Sequence, residues 1–82
     1  MKALSAGTIA KMVQGRLEGS SEIIVDQISI DTRTLKKGSL FIAIKGERFD
    51  GHDYIRQAAA NGAALVMVRE GTMLPEKVPA IF

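Results

Sequence analysis

The chain has 82 residues, of which 46% are hydrophobic and 24% charged, and it carries a formal net charge of +2. This length fits one small domain, and so much apolar content excludes a disordered segment. With no cysteine and one histidine, the sequence offers no disulfide framework and no zinc site, so we expect no metal. The basic residues are scattered rather than clustered in a stripe, which argues against a nucleic-acid partner.

No apolar run approaches the roughly 20 residues of a membrane-spanning helix, and the first residues lack the apolar core of a signal peptide. We therefore expect a cytoplasmic protein with no membrane partner. Residues 78–82 are an apolar stretch with the composition of a new strand. Because natural termini are more often polar, we interpret the sequence as a fragment of a longer protein.

The first helix is predicted to begin at Ser5, whose hydroxyl can accept a hydrogen bond from an unpaired backbone N–H. Ile9, Met12 and Val13 follow at helical spacing and are expected to face the core. Gly15 is predicted to end the helix as its left-handed residue.

Two strands are predicted next along the chain. Residues 23–30 are rich in isoleucine and valine, and their alternation predicts a strand with Ile28 and Ile30 facing the core. Residues 40–44 are apolar on both faces, as expected for a central strand that is covered on two sides.

The second helix is predicted to begin at Asp50, with Asp53 completing a capping box, and to end at Asn61-Gly62. Residues 64–68 form the next buried strand. Strand, helix and strand over residues 39–68 make a β-α-β unit. The predicted fold class is therefore α/β, with a small mixed β-sheet, a β-α-β unit and flanking helices.

The loop that follows the central strand is a candidate ligand site, because open α/β sheets bind ligands beyond the carboxyl ends of their strands. Lys45 and Arg48 can hold a phosphate, Gly46 lets a ligand approach the main chain, and Phe49 can stack on a base or pack in the core. A plain strand-to-helix connection explains the same residues equally well. Aspartates already occupy the helix start, so a phosphate is expected on Arg48 or on loop amides.

The stretch Asp31-Thr32-Arg33 follows the other strand. Thr32 and Arg33 carry groups that bind phosphate, but spacing favours an Asx turn on Asp31 with Arg33 on the surface. The gap over residues 31–38 is shorter than the dozen residues of an ordinary parallel crossover. The sequence therefore leaves open whether the two loops lie on one side of the sheet.

No catalytic residue is predicted in this chain. His52 beside Asp53 is interpreted as a polar residue at a helix start, because consecutive helical residues do not face each other. The sequence contains no G-x-x-x-x-G-K-[ST] phosphate loop for ATP.

Taken together, Ile30-Asp31-Thr32-Arg33 and Lys45-Gly46-Glu47-Arg48-Phe49-Asp50-Gly51-His52 resemble the N-terminal domain of the Mur ligases. The flanking residues agree, and the resemblance covers essentially the whole chain. It is closest to the branch that adds D-alanyl-D-alanine to a UDP-linked muramoyl tripeptide. The rival branch adds the third peptide residue. It usually has serine at the position of Thr32, and both residue types carry a hydroxyl.

The resemblance implies that residues 1–82 bind the UDP end of a UDP-N-acetylmuramoyl peptide. ATP and magnesium would be bound by the remaining ligase domains of the same chain, and no cofactor by this part, which would be inactive alone. The resemblance also implies that the two loops converge. The implied substrate-binding residues are Ile30, Thr32, Arg33, Lys45, Gly46, Glu47, Arg48 and Phe49.

A different class remains open, a stand-alone small module that binds a nucleotide or a protein and is not an enzyme. A glycine-rich phosphate loop within a few dozen residues after position 82 would favour the ligase.

Overall fold

A computed structural model of the chain describes residues 2–46, 50–74 and 78–82. Two α-helices, a short 3-10 helix and seven short strands form within these ranges. In chain order they are β1 (Leu4–Ser5), α1 (Ala6–Met12), β2 (Leu17–Glu18), β3 (Ile24–Val25), β4 (Ile28–Ser29), β5 (Leu40–Ile42), the 3-10 helix (Gly51–Tyr54), α2 (Ile55–Ala60), β6 (Leu65–Met67) and β7 (Ala80–Ile81).

Five of the strands build a mixed sheet in the order β2-β7-β6-β5-β4. Strands β4, β5, β6 and β7 run parallel, and β2 pairs antiparallel with β7. Strands β1 and β3 form a separate antiparallel pair beside this sheet. Strand β5, helix α2 and strand β6 are the predicted β-α-β unit, and the predicted α/β class with a mixed sheet is confirmed.

The sheet separates two apolar clusters, because consecutive side chains of β5 and β6 point to opposite faces. One cluster lies on the α1 face and contains Ala6, Ile9, Ala10, Val25, Leu40, Leu65 and Ile81. The other lies on the α2 face and contains Phe41, Ile55, Ala58, Val66, Val68 and Ala80. Strand β5 is therefore covered on both sides, as its apolar run predicted. Neither α-helix of the described residues has the length and apolar character that a membrane crossing requires.

Strands β4 and β5 are parallel neighbours although only residues 30–39 connect them. Such a short return is possible because the paired part of β4 has two residues and spans roughly 7 Å, whereas ten extended residues reach roughly 33 Å. The connection is folded into two turns, closed by bonds from Thr34 N–H to Asp31 O (3.3 Å) and from Ser39 N–H to Lys36 O (3.1 Å). Both polar loops consequently leave the same edge of the sheet.

The predicted single strand over residues 23–30 is wrong in two respects. Its first half pairs with β1 and its second half with β5, so the chain changes sheets between Val25 and Ile28. Strand β4 is then the outer strand of its sheet, and Ile28 and Ile30 are 52% and 55% exposed instead of buried. The alternation was a poor guide because the two halves pack against different partners.

The start of α1 follows the prediction, since the Ser5 hydroxyl accepts from the backbone N–H of Thr8 (3.2 Å). Ile9 is buried as expected. Met12 and Val13, however, are 68% and 49% exposed, so their assignment to the core is wrong. Met12 is the last residue of α1 and Val13 follows it. Both lie beyond the buried part of the helix, which ends at Ala10.

The end of α1 also differs from the prediction. Gln14, not Gly15, has the left-handed conformation, with φ of 55°. The N–H of Gln14 donates to Lys11 O (3.2 Å) and that of Gly15 to Ala10 O (2.8 Å), the pair of bonds of a Schellman motif. Gly15 is required for a different reason, because a Cβ there would lie 2.7 Å from a methyl group of Ile81 and 2.8 Å from the carbonyl of Phe82.

We therefore predict opposite effects at these two neighbouring positions. Gly15→Ala should destabilise the fold by about 1–3 kcal/mol through overpacking against β7. Gln14→Gly should be neutral or stabilising by up to about 1 kcal/mol, because glycine adopts a positive φ without strain. Urea unfolding of both variants measures the difference. A loss of stability in Gln14→Gly with none in Gly15→Ala would contradict this account of the helix end.

Candidate ligand-binding site

A surface cavity of about 610 Å³ opens between the loop after β4 and the start of α2. One wall is the predicted loop and the other is a helical face. The residues that line it are Ile30, Asp31, Thr32, Arg33, Tyr54 and Gln57. Apolar, aromatic, hydroxyl, carboxamide and charged groups thus meet in one cavity, which suits a ligand with both a flat ring and polar substituents.

The loop wall is shaped by Asp31. Its side-chain oxygen accepts from the backbone N–H of Arg33 (2.8 Å), which is the predicted Asx turn. The guanidinium of Arg33 also forks onto this carboxylate, through Nε (3.0 Å) and Nη2 (2.8 Å). These bonds lower the pKa of the Asp31 carboxyl to about 2 and raise the pKa of Arg33. Arg33 is therefore exposed and paired within its own turn.

Thr32 lies at the back of the same loop and is 7% exposed. Its carbonyl accepts a hydrogen bond from the side-chain amide of Asn61 (2.9 Å), at the end of α2. The loop is thereby joined to the helix that forms the other wall of the cavity.

The helical wall consists of Tyr54 and Gln57, neither of which is among the site residues predicted from the sequence. Tyr54 at the end of the 3-10 helix, Gln57 in α2 and Asn61 just after α2 are spaced three and four residues apart, so they lie on one side of this helical segment. That spacing is visible in the sequence. The sequence did not show that this face lies against residues 30–33, because lateral placement of a helix depends on tertiary packing.

The second polar loop is only partly described. Glu47, Arg48 and Phe49, three of the predicted substrate-binding residues, lie outside the described residues. Lys45 and Gly46 are exposed and are not among the described residues that line the cavity. Lys45 pairs with Asp50 as an antiparallel bridge, which closes the loop at its base.

The glycine after this bridge has a structural role. A Cβ on Gly51 would lie 2.8 Å from Ile44 N and 3.0 Å from Ala43 Cα, and its N–H donates to Ile44 O (2.8 Å). The helix start therefore packs directly on the end of β5.

His52 fastens this helix start to the neighbouring strand. Its Nδ1 donates to the carboxylate of Asp50 (2.6 Å), and its Nε2 accepts from the backbone N–H of Arg69 just after β6 (3.0 Å). The Asp50 carboxylate also caps the 3-10 helix by accepting from the His52 N–H, and both bonds lower the pKa of Asp50. The partner of His52 is thus Asp50 and not Asp53, and the arrangement is structural.

Within residues 2–46, 50–74 and 78–82, no three histidine or acidic side chains come together as metal ligands. The mixed apolar and polar lining of the cavity is suited to binding and orienting a ligand.

Comparison with known proteins identifies the family. The Mur ligase family, in its catalytic-domain description, matches residues 24–81. The chain belongs to the Mur ligase family.

Among the relatives of this Mur ligase chain is the UDP-N-acetylmuramoyl-tripeptide--D-alanyl-D-alanine ligase of Escherichia coli (strain K12). The two are 41% identical over 68 residues, which cover 83% of this chain and 15% of that protein. The UDP-N-acetylmuramoyl-L-alanyl-D-glutamate--2,6-diaminopimelate ligase 2 of Clostridium acetobutylicum is 44% identical over 54 residues, or 66% of this chain and 11% of that protein.

A crystal structure of MurF from Acinetobacter baumannii has the same fold. Its TM-score is 0.86 at 25% identity, and the match covers 99% of this chain and 18% of that one. The predicted resemblance to Mur ligases, and to MurF in particular, is confirmed. This Mur ligase chain spans less than a fifth of the length of these three relatives.

The Asp31–Arg33 pair of this Mur ligase chain predicts a pH effect. Because the folded-state pKa of Asp31 is lowered from 3.8 to about 2, the pair stabilises the fold above pH 3.8, and this contribution disappears as the pH falls toward 2. A carboxyl ¹³C titration should show a midpoint of about 2 for Asp31. Arg33→Met should raise the midpoint toward 3.8, whereas Arg56→Met should leave it unchanged. An unchanged midpoint in Arg33→Met would show that the Arg33 side chain does not lower the pKa of Asp31.

A second prediction concerns the tautomer of His52. Because a backbone N–H donates to Nε2, the neutral ring must carry its proton on Nδ1. Long-range ¹H–¹⁵N spectra of the neutral imidazole should show a protonated Nδ1 and an unprotonated Nε2. Asp50→Ala should reduce the Nδ1–H population by removing its acceptor. A wild-type ring protonated on Nε2 would contradict the described contacts.

Proposed function

We propose that this chain binds and positions the UDP-muramoyl peptide substrate of a peptidoglycan-precursor ligase that adds D-alanyl-D-alanine. The observation that carries the proposal is the cavity between the loop after β4 and α2, which gathers three of the predicted substrate-binding residues, Ile30, Thr32 and Arg33. The family membership and the MurF fold support the same function.

In this proposal Ile30 and Tyr54 supply the apolar and aromatic surface for the uracil ring, and Thr32 supplies a polar contact to the uridine. Arg33 faces the diphosphate. Because Arg33 is already paired with Asp31, a phosphate would share or exchange that partner instead of meeting an unpaired guanidinium.

The loop after β5 completes the proposed site. Lys45 and Gly46 lie on the same edge of the sheet as the cavity, since β4 and β5 are parallel. Glu47, Arg48 and Phe49 would wrap the uracil and diphosphate from this side.

The remaining parts of the reaction belong to the rest of the proposed enzyme. ATP and magnesium would be bound there, outside residues 1–82, whose sequence contains no phosphate loop for ATP. This chain would contribute binding and orientation, which lower the barrier by placing the substrate carboxylate for reaction. A cytoplasmic location is part of the proposal.

The third-residue ligase is the second candidate, since a diaminopimelate-adding relative is also similar. The dipeptide ligase is favoured because the MurF structure from A. baumannii matches 99% of this chain with a TM-score of 0.86, and the E. coli dipeptide ligase is 41% identical over 83% of it. Assaying the full-length enzyme with UDP-muramoyl tripeptide plus D-alanyl-D-alanine, and with UDP-muramoyl dipeptide plus diaminopimelate, separates the two candidates.

Thr32→Val tests the site in the full-length ligase. The side chain keeps its shape and loses its hydroxyl, so KM for the UDP-muramoyl tripeptide should rise about threefold to tenfold, the worth of one neutral hydrogen bond. The kcat should be unchanged, because a contact with the distant uridine is made equally in ground and transition states.

Thr34→Val is the matched control. It removes the same group two residues further along, on an exposed side chain that does not line the cavity. Its KM should equal that of the wild type. If both variants, or neither, raise KM, the cavity is not the uridine site.

A further inference from the structure

The loop that carries Thr32 is held mainly by bonds within itself. Ser29 Oγ donates to Asp31 O (2.8 Å), Arg33 N–H donates to the Asp31 side chain, and Thr34 N–H donates to Asp31 O. Each of these bonds joins residues that are two or three positions apart. They define the shape of the turn, but they cannot determine its distance from α2.

A side chain at the end of α2 makes a hydrogen bond directly to this turn. Asn61 Nδ2 donates to the carbonyl of Thr32 at 2.9 Å, a bond that spans 29 residues of sequence. The orientation of the amide is unambiguous, because a backbone carbonyl can only accept and the Asn61 oxygen cannot donate.

Asn61 is itself held firmly at the end of α2. Its N–H donates to Gln57 O (2.9 Å), and the next residue, Gly62, has φ of +102°. A Cβ on Gly62 would lie 3.1 Å from Lys37 Cα, and Gly62 O accepts from Gly38 N–H (2.7 Å). The end of α2 is thus packed against the far end of the same β4–β5 connection.

We propose that Asn61 is a positioning residue for the UDP-sugar site. It lies outside the cavity lining and acts through Thr32: its amide sets the separation between the Thr32 loop and the Tyr54–Gln57 wall, and therefore the width of the cavity. The inference rests on the proposed function and adds to it Asn61, the residue that follows α2, which the substrate need not touch.

Kinetics of the full-length ligase test the proposal with two substitutions. Asn61→Ala removes the donor, and Asn61→Asp replaces it with an oxygen that repels the Thr32 carbonyl. KM for the UDP-muramoyl tripeptide should rise about threefold to tenfold in Asn61→Ala and further in Asn61→Asp. The kcat and the KM values for ATP and D-alanyl-D-alanine should stay at wild-type levels, because the defect is confined to binding at this cavity.

Gly15→Ala is the control for a purely structural effect. It lies at the end of α1 against β7, away from the cavity, and should lower the stability of the fold without changing any KM. Urea unfolding of all three variants accompanies the kinetics. If the Asn61 variants lose stability but keep the wild-type KM, as Gly15→Ala should, the positioning role is wrong.

The two proposals fail in different ways. A wild-type enzyme with no activity on UDP-muramoyl tripeptide would overturn the proposed function, and the role of Asn61 with it. A wild-type enzyme that is active, with KM raised by Thr32→Val and unchanged by both Asn61 variants, would overturn the role of Asn61 alone.

Discussion

The parallel pairing of β4 with β5 is the constraint on which the candidate site depends. Two parallel strands send their carboxyl ends to one edge, so the loop after β4 and the loop after β5 leave the sheet side by side. An antiparallel pair would have put them at opposite edges. The pairing is possible because β4 is short enough for residues 30–39 to return without a helix. A longer β4 would need a longer crossover and would remove the loop from α2.

The parts of the fold that could be predicted are those set by neighbours in sequence. The caps at Ser5 and Asp50 depend on one side chain and a backbone N–H two or three residues away, and both are present. Strands β5 and β6 lie within runs that are apolar on both faces. Their burial could therefore be predicted without knowing which strands or helices pack against them. The Asx turn at Asp31 is equally local, and the residues of this turn also line the cavity.

The parts that could not be predicted depend on which element packs against which. Ile30 follows the alternating pattern that predicts a core residue, yet it is exposed because it follows β4, the outer strand of the sheet. Glycine commonly ends a helix, which is why Gly15 was predicted to do so. Glycine is required there, however, because a side chain would collide with β7, more than sixty residues away in sequence. Tyr54 and Gln57 became candidate site residues only when α2 was placed beside the loop after β4.

The position of β7 in the sheet has a consequence for how the chain folds. Residues 80 and 81 pair on one side with β6 and on the other with β2 near the start of the chain. During synthesis the sheet therefore lacks an interior strand until residues 80 and 81 have left the ribosome. The pairing of β2 with β7 also closes a loop over residues 17–81. Closing so long a loop costs conformational entropy and is therefore slow. We thus expect the sheet to assemble in one step after β7 has emerged, with the β4–β5–β6 segment exposing its apolar edge until then.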